Sequence, residues 1–139
     1  MAEKSVIILF MTNSLTPLSS LAKRLHPHLR GQLAEKLALV SYMAAGWRPL
    51  RQMPQNLAQT DLTLIRGHTI LLVEVKYRSS RGRGHVAVTS AQRQRLNRQM
   101  IAVSGRYPQH SVGMDIFLVF PQWPFTQRIR NPYADEHGS

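Results

Sequence analysis

The stretch from Asp61 to Lys76 limits most sharply what this chain can become. Leu62-Thr63-Leu64-Ile65 and Thr69-Ile70-Leu71-Leu72-Val73 are apolar or β-branched runs on either side of Arg66-Gly67-His68. Such runs suit a pleated surface, and a glycine between them admits a tight turn, so the segment predicts a β-hairpin. A turn centred between Gly67 and His68 also sets the register: Ile65 opposes Ile70, Thr63 opposes Leu72, and Asp61 opposes Glu74. Opposed side chains have Cβ atoms about 4.5 to 5.5 Å apart, and two carboxylates at that distance repel unless a cation lies between them. Lys76 falls on the same face as Glu74 because strand side chains alternate. A carboxylate pair and an amine are therefore expected together at the open end of the hairpin.

These residue types suit a particular chemistry. Hard oxygen donors in a small set favour Mg²⁺ (or Mn²⁺), and no pair of histidines has the helical spacing of a zinc protease. An ion of that kind acidifies a bound water and neutralises charge on a phosphate under attack, while a neighbouring ammonium orients the water or stabilises the developing charge. Asp61, Glu74 and Lys76 thus point to phosphodiester hydrolysis, with Asp61 and Glu74 as the metal ligands. The same residues also fit an ordinary salt-bridge cluster on an exposed sheet face.

Charge favours the same substrate class. The 139 residues include 18 Lys and Arg against 7 Asp and Glu, a formal charge of +11, and such an excess favours polyanionic partners through counterion release. From Lys76 to Arg98 there are seven basic residues, and no acid occurs between Glu74 and Asp115. Nucleic acid is the expected partner, with DNA first, but no base-reading motif selects DNA over RNA. A ribosomal contact, an anionic membrane surface or a solvated charged face are the plainer readings of that charge. No apolar run approaches the roughly 18 residues of a membrane span, so no membrane partner is expected. The lack of cysteine removes disulfides and thiolate metal sites and fits a cytoplasmic protein.

At this length one core is expected. Residues 1–27 read as a poorly patterned lead-in, broken by Thr16-Pro17 and His26-Pro27-His28, and residues 28–139 as a single domain. Leu29, Leu33, Leu37, Val40 and Ala44 recur at helical spacing and form the predicted buried stripe of a first helix, with Gly46 where a left-handed cap would end it. Trp47 to Gln52 reads as a short strand in which Pro49 demands an edge or a bulge. After the hairpin, Tyr77 to His85 is rich in Arg, Ser and Gly and reads as a loop. Thr89 and Gln92 form a capping-box pattern opening a second helix, with Leu96, Met100 and Val103 inward and Arg93, Arg95 and Arg98 on the other face. A last strand spans Met114 to Phe120, and the residues from Gln122 to Ser139 read as an irregular tail. The class is α/β.

The order of these segments resembles a known family. A helix with Gly31-Gln32-Leu33-Ala34-Glu35, then Asp61-Leu62-Thr63-Leu64-Ile65, then Val73-Glu74-Val75-Lys76, a basic Arg/Gly loop and an Arg-rich helix is similar to the YraN-like (UPF0102) group of the PD-(D/E)XK nuclease superfamily. The similarity runs from about Arg30 to Tyr133 and includes Met114-Asp115-Ile116-Phe117 and Arg128-Ile129-Arg130-Asn131-Pro132-Tyr133. It implies a restriction-endonuclease-like mixed central β-sheet flanked by helices, with Asp61 and Glu74 as metal ligands and Lys76 as the catalytic lysine. Glu35 matches the helix glutamate of the pattern, which helps hold the metal or its water. The chain departs from the group's usual Gly-Glu-Ile-Asp at Ala58-Gln59-Thr60-Asp61, so the neutral Gln59 stands where relatives carry a carboxylate.

The remaining residues have two readings each. Glu35 fits either the site or a solvated helix surface. Asp115 is expected to pair with an arginine or support the site, and is left out of the catalytic set. Arg78, Arg81, Arg83, Arg93, Arg95 and Arg98 are expected to contact phosphates, which position a protein without reading sequence. Trp47 and Trp123 read as packing residues rather than stacking platforms, because the aromatics are scattered. Two function classes follow: a metal-dependent endonuclease, and a catalytically inactive nucleic-acid-binding protein that retains the nuclease fold.

Overall fold

A computed structural model describes residues 25–53, 60–79, 89–122 and 124–130. The hairpin forms as its turn chemistry requires. β2 (Leu62–Arg66) and β3 (Thr69–Tyr77) pair antiparallel, with Ile65 opposite Ile70 and Thr63 opposite Leu72. Gly67, at φ 59°, supplies the left-handed turn residue that a Cβ would strain.

β1 (Arg48–Pro49), β2, β3, β4 (Ser111–Val119) and β5 (Thr126–Arg130) make one sheet in that order. Only β3 and β4 run parallel; the other neighbours are antiparallel. Pro49 sits on the edge strand, where its missing N–H costs no ladder bond. This is the expected α/β mixed sheet flanked by helices, an architecture compatible with a restriction-endonuclease-like fold. Among the described residues no helix is long and apolar enough to cross a membrane.

The two helices among the described residues lie on opposite faces of the sheet. α1 (Pro27–Ala44) covers Leu71, Val73, Val75, Phe117 and Val119, whereas Leu96 and Val103 of α2 (Ser90–Arg106) pack on Ile70, Leu72 and Met114. α1 ends in a Schellman motif: the Trp47 N–H donates to the Tyr42 carbonyl (3.1 Å) and the Gly46 N–H to that of Met43 (3.0 Å), with Gly46 at φ 90°. Arg66 ties the hairpin to that end, donating to the Ala45 carbonyl (2.9 Å) and stacking 4.4 Å over the Trp47 ring. Trp47 is a core residue, as expected; Trp123 lies outside the described residues.

Three sequence expectations need correction. The buried side of α1 is Ala34, Ala38 and Tyr42, while Leu29, Leu33 and Val40 of the predicted stripe are exposed, Leu33 at 51%. Small alanines let the helix backbone approach the sheet closely, which large leucines in those positions would prevent. Second, residues 126–130 are not an irregular tail but strand β5. Its Thr-Gln-Arg-Ile-Arg make-up buries little, because an edge strand needs apolar contact on one side only, supplied here by Ile129. Third, Arg95 does not point away from the sheet with Arg98. It shares the inward row with the buried Gln99 four residues on, which is one helical turn.

Candidate active site at the open end of the hairpin

Glu74 lies near the carboxyl end of β3, where its neighbour β4 runs parallel. Ligands of α/β sheets bind outside the carboxyl ends of parallel strands. Glu74 faces α2, because Ile70 and Leu72 of the same strand pack against that helix. Its side chain is only 8% exposed, and its Oε1 accepts hydrogen bonds from Lys76 Nζ (2.8 Å) and Arg95 Nη2 (3.0 Å). A carboxylate this buried needs such partners, since an unpaired buried charge is strongly destabilising. Lys76 comes from the same strand face, two residues on, while Arg95 reaches across from the second turn of α2.

Asp61 precedes β2 by one residue, so it continues the hairpin register toward Glu74 without joining the ladder. Its Oδ2 accepts the Val75 N–H (2.7 Å), which fixes the carboxylate to the backbone of β3. Partial burial raises the pKa of Asp61 above its ordinary value and Glu74's charge adds to that, against the Val75 hydrogen bond and the nearby Lys76 and Arg95. Glu35 stands on α1, and its carboxyl is also raised, first by desolvation and then by the charge of Asp61, with His28 acting the other way. Asp61 therefore feels the charge of Glu74 on the sheet, and Glu35 on α1 feels that of Asp61.

The structure thus brings Glu35, Asp61, Glu74 and Lys76 into one electrostatic cluster, and Arg95 with them. Arg78, just after β3, is exposed and touches only its neighbour's carbonyl (Nη1 to Tyr77 O, 3.5 Å). Arg93 is half-buried and Arg98 exposed on α2. Arg81, Arg83 and Gln59 lie outside the described residues.

Arg95 as a partner of Glu74 was not anticipated. The available signal was the Arg95, Gln99, Val103 row, which puts Arg95 on the buried side of α2. Gln99 is buried, and its Oε1 has no hydrogen-bond partner among the described residues. α2 itself is placed as its sequence requires: the Thr89 hydroxyl accepts the Gln92 N–H and the Gln92 side chain accepts the Thr89 N–H (3.1 Å).

Asp115, on the neighbouring strand, points to the other face. It accepts hydrogen bonds from the Tyr42 hydroxyl (2.7 Å) and from Arg128 Nε, and the Arg128 guanidinium also lies 4.8 Å over the Tyr42 ring. Asp115 is thus paired with an arginine on the α1 side, apart from the Glu74 cluster.

Among the described residues no group of three or more His, Cys, Asp or Glu side chains gathers tightly enough to enclose an ion. Magnesium does not need such a cage, because it keeps several waters and is commonly held by one or two carboxylates together with substrate phosphates. The donor chemistry fits: Asp61 and Glu74 are hard oxygen ligands, and a cation would offset both the burial and the Glu74 charge that raise Asp61.

No family model matches the chain. It is similar to a UPF0102 protein of Methylorubrum populi, 36% identical over 108 residues that span 74% of this chain and 86% of the relative. A UPF0102 protein of Methylorubrum extorquens is 36% identical over 108 residues, spanning 74% of this chain and 84% of its own. That of Methylobacterium nodulans is 32% identical over 108 residues, spanning 73% and 83% respectively. With identity and coverage at that level, the chain belongs to the UPF0102 family.

Proposed function

We propose that the protein is a metal-dependent endonuclease of the PD-(D/E)XK kind, hydrolysing phosphodiester bonds in nucleic acid. The observation that carries this reading is the convergence of a backbone-anchored Asp61 with the Glu74–Lys76 pair beside the carboxyl end of a parallel strand. Asp61 and Glu74 would hold Mg²⁺ or Mn²⁺, which when bound acidifies water and neutralises phosphate charge. The Val75 N–H sets the direction of the Asp61 carboxylate, so that ligand needs no reorganisation. Lys76, with 30% of its side chain exposed, holds Glu74 and can also turn an N–H to a phosphate oxygen or to the attacking water. Glu35, which feels the charge of Asp61 from α1, would share a proton or a water with it. The +11 charge supplies general attraction for a polyanion.

The test is a cleavage screen over linear, branched and single-stranded DNA and RNA with Mg²⁺ or Mn²⁺. Lys76→Ala should lower the rate by about a hundredfold or more while leaving affinity for the substrate nearly unchanged, since the amine acts mainly on developing charge. A silent wild-type protein across that panel would sink the catalytic reading.

One observation favours a second reading, a binding module on the same architecture: Glu74 Oε1 already satisfies two cations without a metal. That module would bind nucleic acid with a steep salt dependence and never cut it.

A further inference from the structure

Two cations converge on one carboxylate oxygen, and they differ in kind. Lys76 is bound to Glu74 by the geometry of its own strand, so their meeting is a local property of β3. Arg95 is delivered by another element, α2, and contacts the same oxygen at 3.0 Å with 37% of its side chain exposed. A guanidinium that open to solvent has room to leave. Asp61 also feels the charge of Arg95, so this one group serves both carboxylates that would ligate a metal. It stands electrostatically where a divalent ion would act.

We infer that Arg95 is an exchangeable resident cation: it neutralises Glu74 while the site is metal-free, gives way to a divalent ion, and on release presents its guanidinium to a phosphate of the bound nucleic acid. This rests on the metal-dependent reading above and deepens it, by making α2 the element through which metal and phosphate binding are coupled. While the salt bridge holds, Arg95 competes with the ion for Glu74. Once the ion holds Glu74, a planar fork suited to phosphate is freed near the place where phosphate must bind. Binding of the ion and of the polyanion then favour each other, and by linkage the effect is reciprocal. Lys76 is less suited to this part, because β3 keeps its base beside Glu74 even when the amine turns away.

The experiment is a Mn²⁺ titration of the full chain without nucleic acid, reading free Mn²⁺ by electron paramagnetic resonance, on wild type, Arg95→Gln and Arg95→Lys, with circular dichroism to show that each variant is folded. Arg95→Gln should bind Mn²⁺ about three- to tenfold more tightly, the range expected for removing a partly exposed competing charge. Arg95→Lys, which keeps the charge, should stay within about twofold of wild type. With a phosphorothioate-substituted DNA duplex followed by fluorescence anisotropy, Mn²⁺ should tighten binding to wild type more than to Arg95→Gln. Equal Mn²⁺ affinities in wild type and Arg95→Gln would overturn the exchange while leaving the metal site standing. Mn²⁺ binding by neither protein would remove the metal site, and the exchange with it.

Discussion

Glu74 and Asp115 are the two buried acids of neighbouring parallel strands, and they are handled in opposite ways. Asp115 points toward α1 and is closed in: its side chain is 4% exposed and that of its partner Arg128 21%, and the Tyr42 hydroxyl takes part as well. Glu74 points toward α2 and is nearly as buried, but its partners Lys76 and Arg95 are 30% and 37% exposed. The first acid is sealed by groups that have nowhere else to go. The second is neutralised by groups that solvent, a metal or a phosphate can reach. Burial of an acid alone therefore does not mark a functional site; the accessibility of its counter-charges separates a clamp from a place where ligands exchange.

The contrast breaks most visibly at Arg128. Arg128→Ala should cost about 3 kcal/mol or more in urea unfolding, because Asp115 would keep a buried charge with only a hydroxyl donor. Part of that loss is the packing of the guanidinium on Tyr42. A cost under about 1 kcal/mol would mean that water reaches Asp115, making the two acids alike.

Lys76→Ala should be milder. Glu74 retains Arg95, so the same unfolding experiment should register about 1 kcal/mol or less despite the predicted collapse of activity. A loss as large as that from Arg128→Ala would show the Glu74 pair to be a sealed clamp too.

The smallest effect sharpens the comparison through pH. Asp61 and Glu35 have folded-state pKa values raised above their unfolded ones. Folding therefore favours their protonated forms, and the stability that this contributes is complete below the ordinary carboxylate range and is lost as pH rises through the raised values. Asp61→Asn keeps an acceptor for the Val75 N–H but removes the charge, so it should stabilise the metal-free protein at neutral pH, by about 0.5 kcal/mol for so exposed a residue. The gain should fade in acid, and no trend between pH 3 and 7 would contradict the burial and repulsion of these acids.

Much of this was legible in advance because it is local. The hairpin register followed from one turn: Ile65 opposes Ile70 and Leu62 opposes Val73, which leaves Asp61 one residue before the ladder, level with Glu74. The α2 cap followed from Thr89 and Gln92. What was misread depends on contacts between distant segments. Leucines at helical spacing look like a core, and only the sheet reveals that α1 uses Ala34 and Ala38 to come close. β5 escaped because its inward arginine is paid for by Asp115 and Tyr42, far away in sequence. Arg95 looked like one more surface arginine until α2 was set against β3.

The order of strands carries a consequence for how the protein assembles. β2 and β3 are joined by a tight turn, whereas β3 meets β4 only after the whole crossover through α2. Short loops close in microseconds and long ones later, so the hairpin is expected to form first, bringing Asp61 and Glu74 together before Arg95 arrives. For that interval Lys76 is the cation that the hairpin sets beside Glu74, two residues along the same strand. The lysine assigned to chemistry in the finished protein thus also shields the nascent turn from its own acids, and the helix that later brings Arg95 closes the site last.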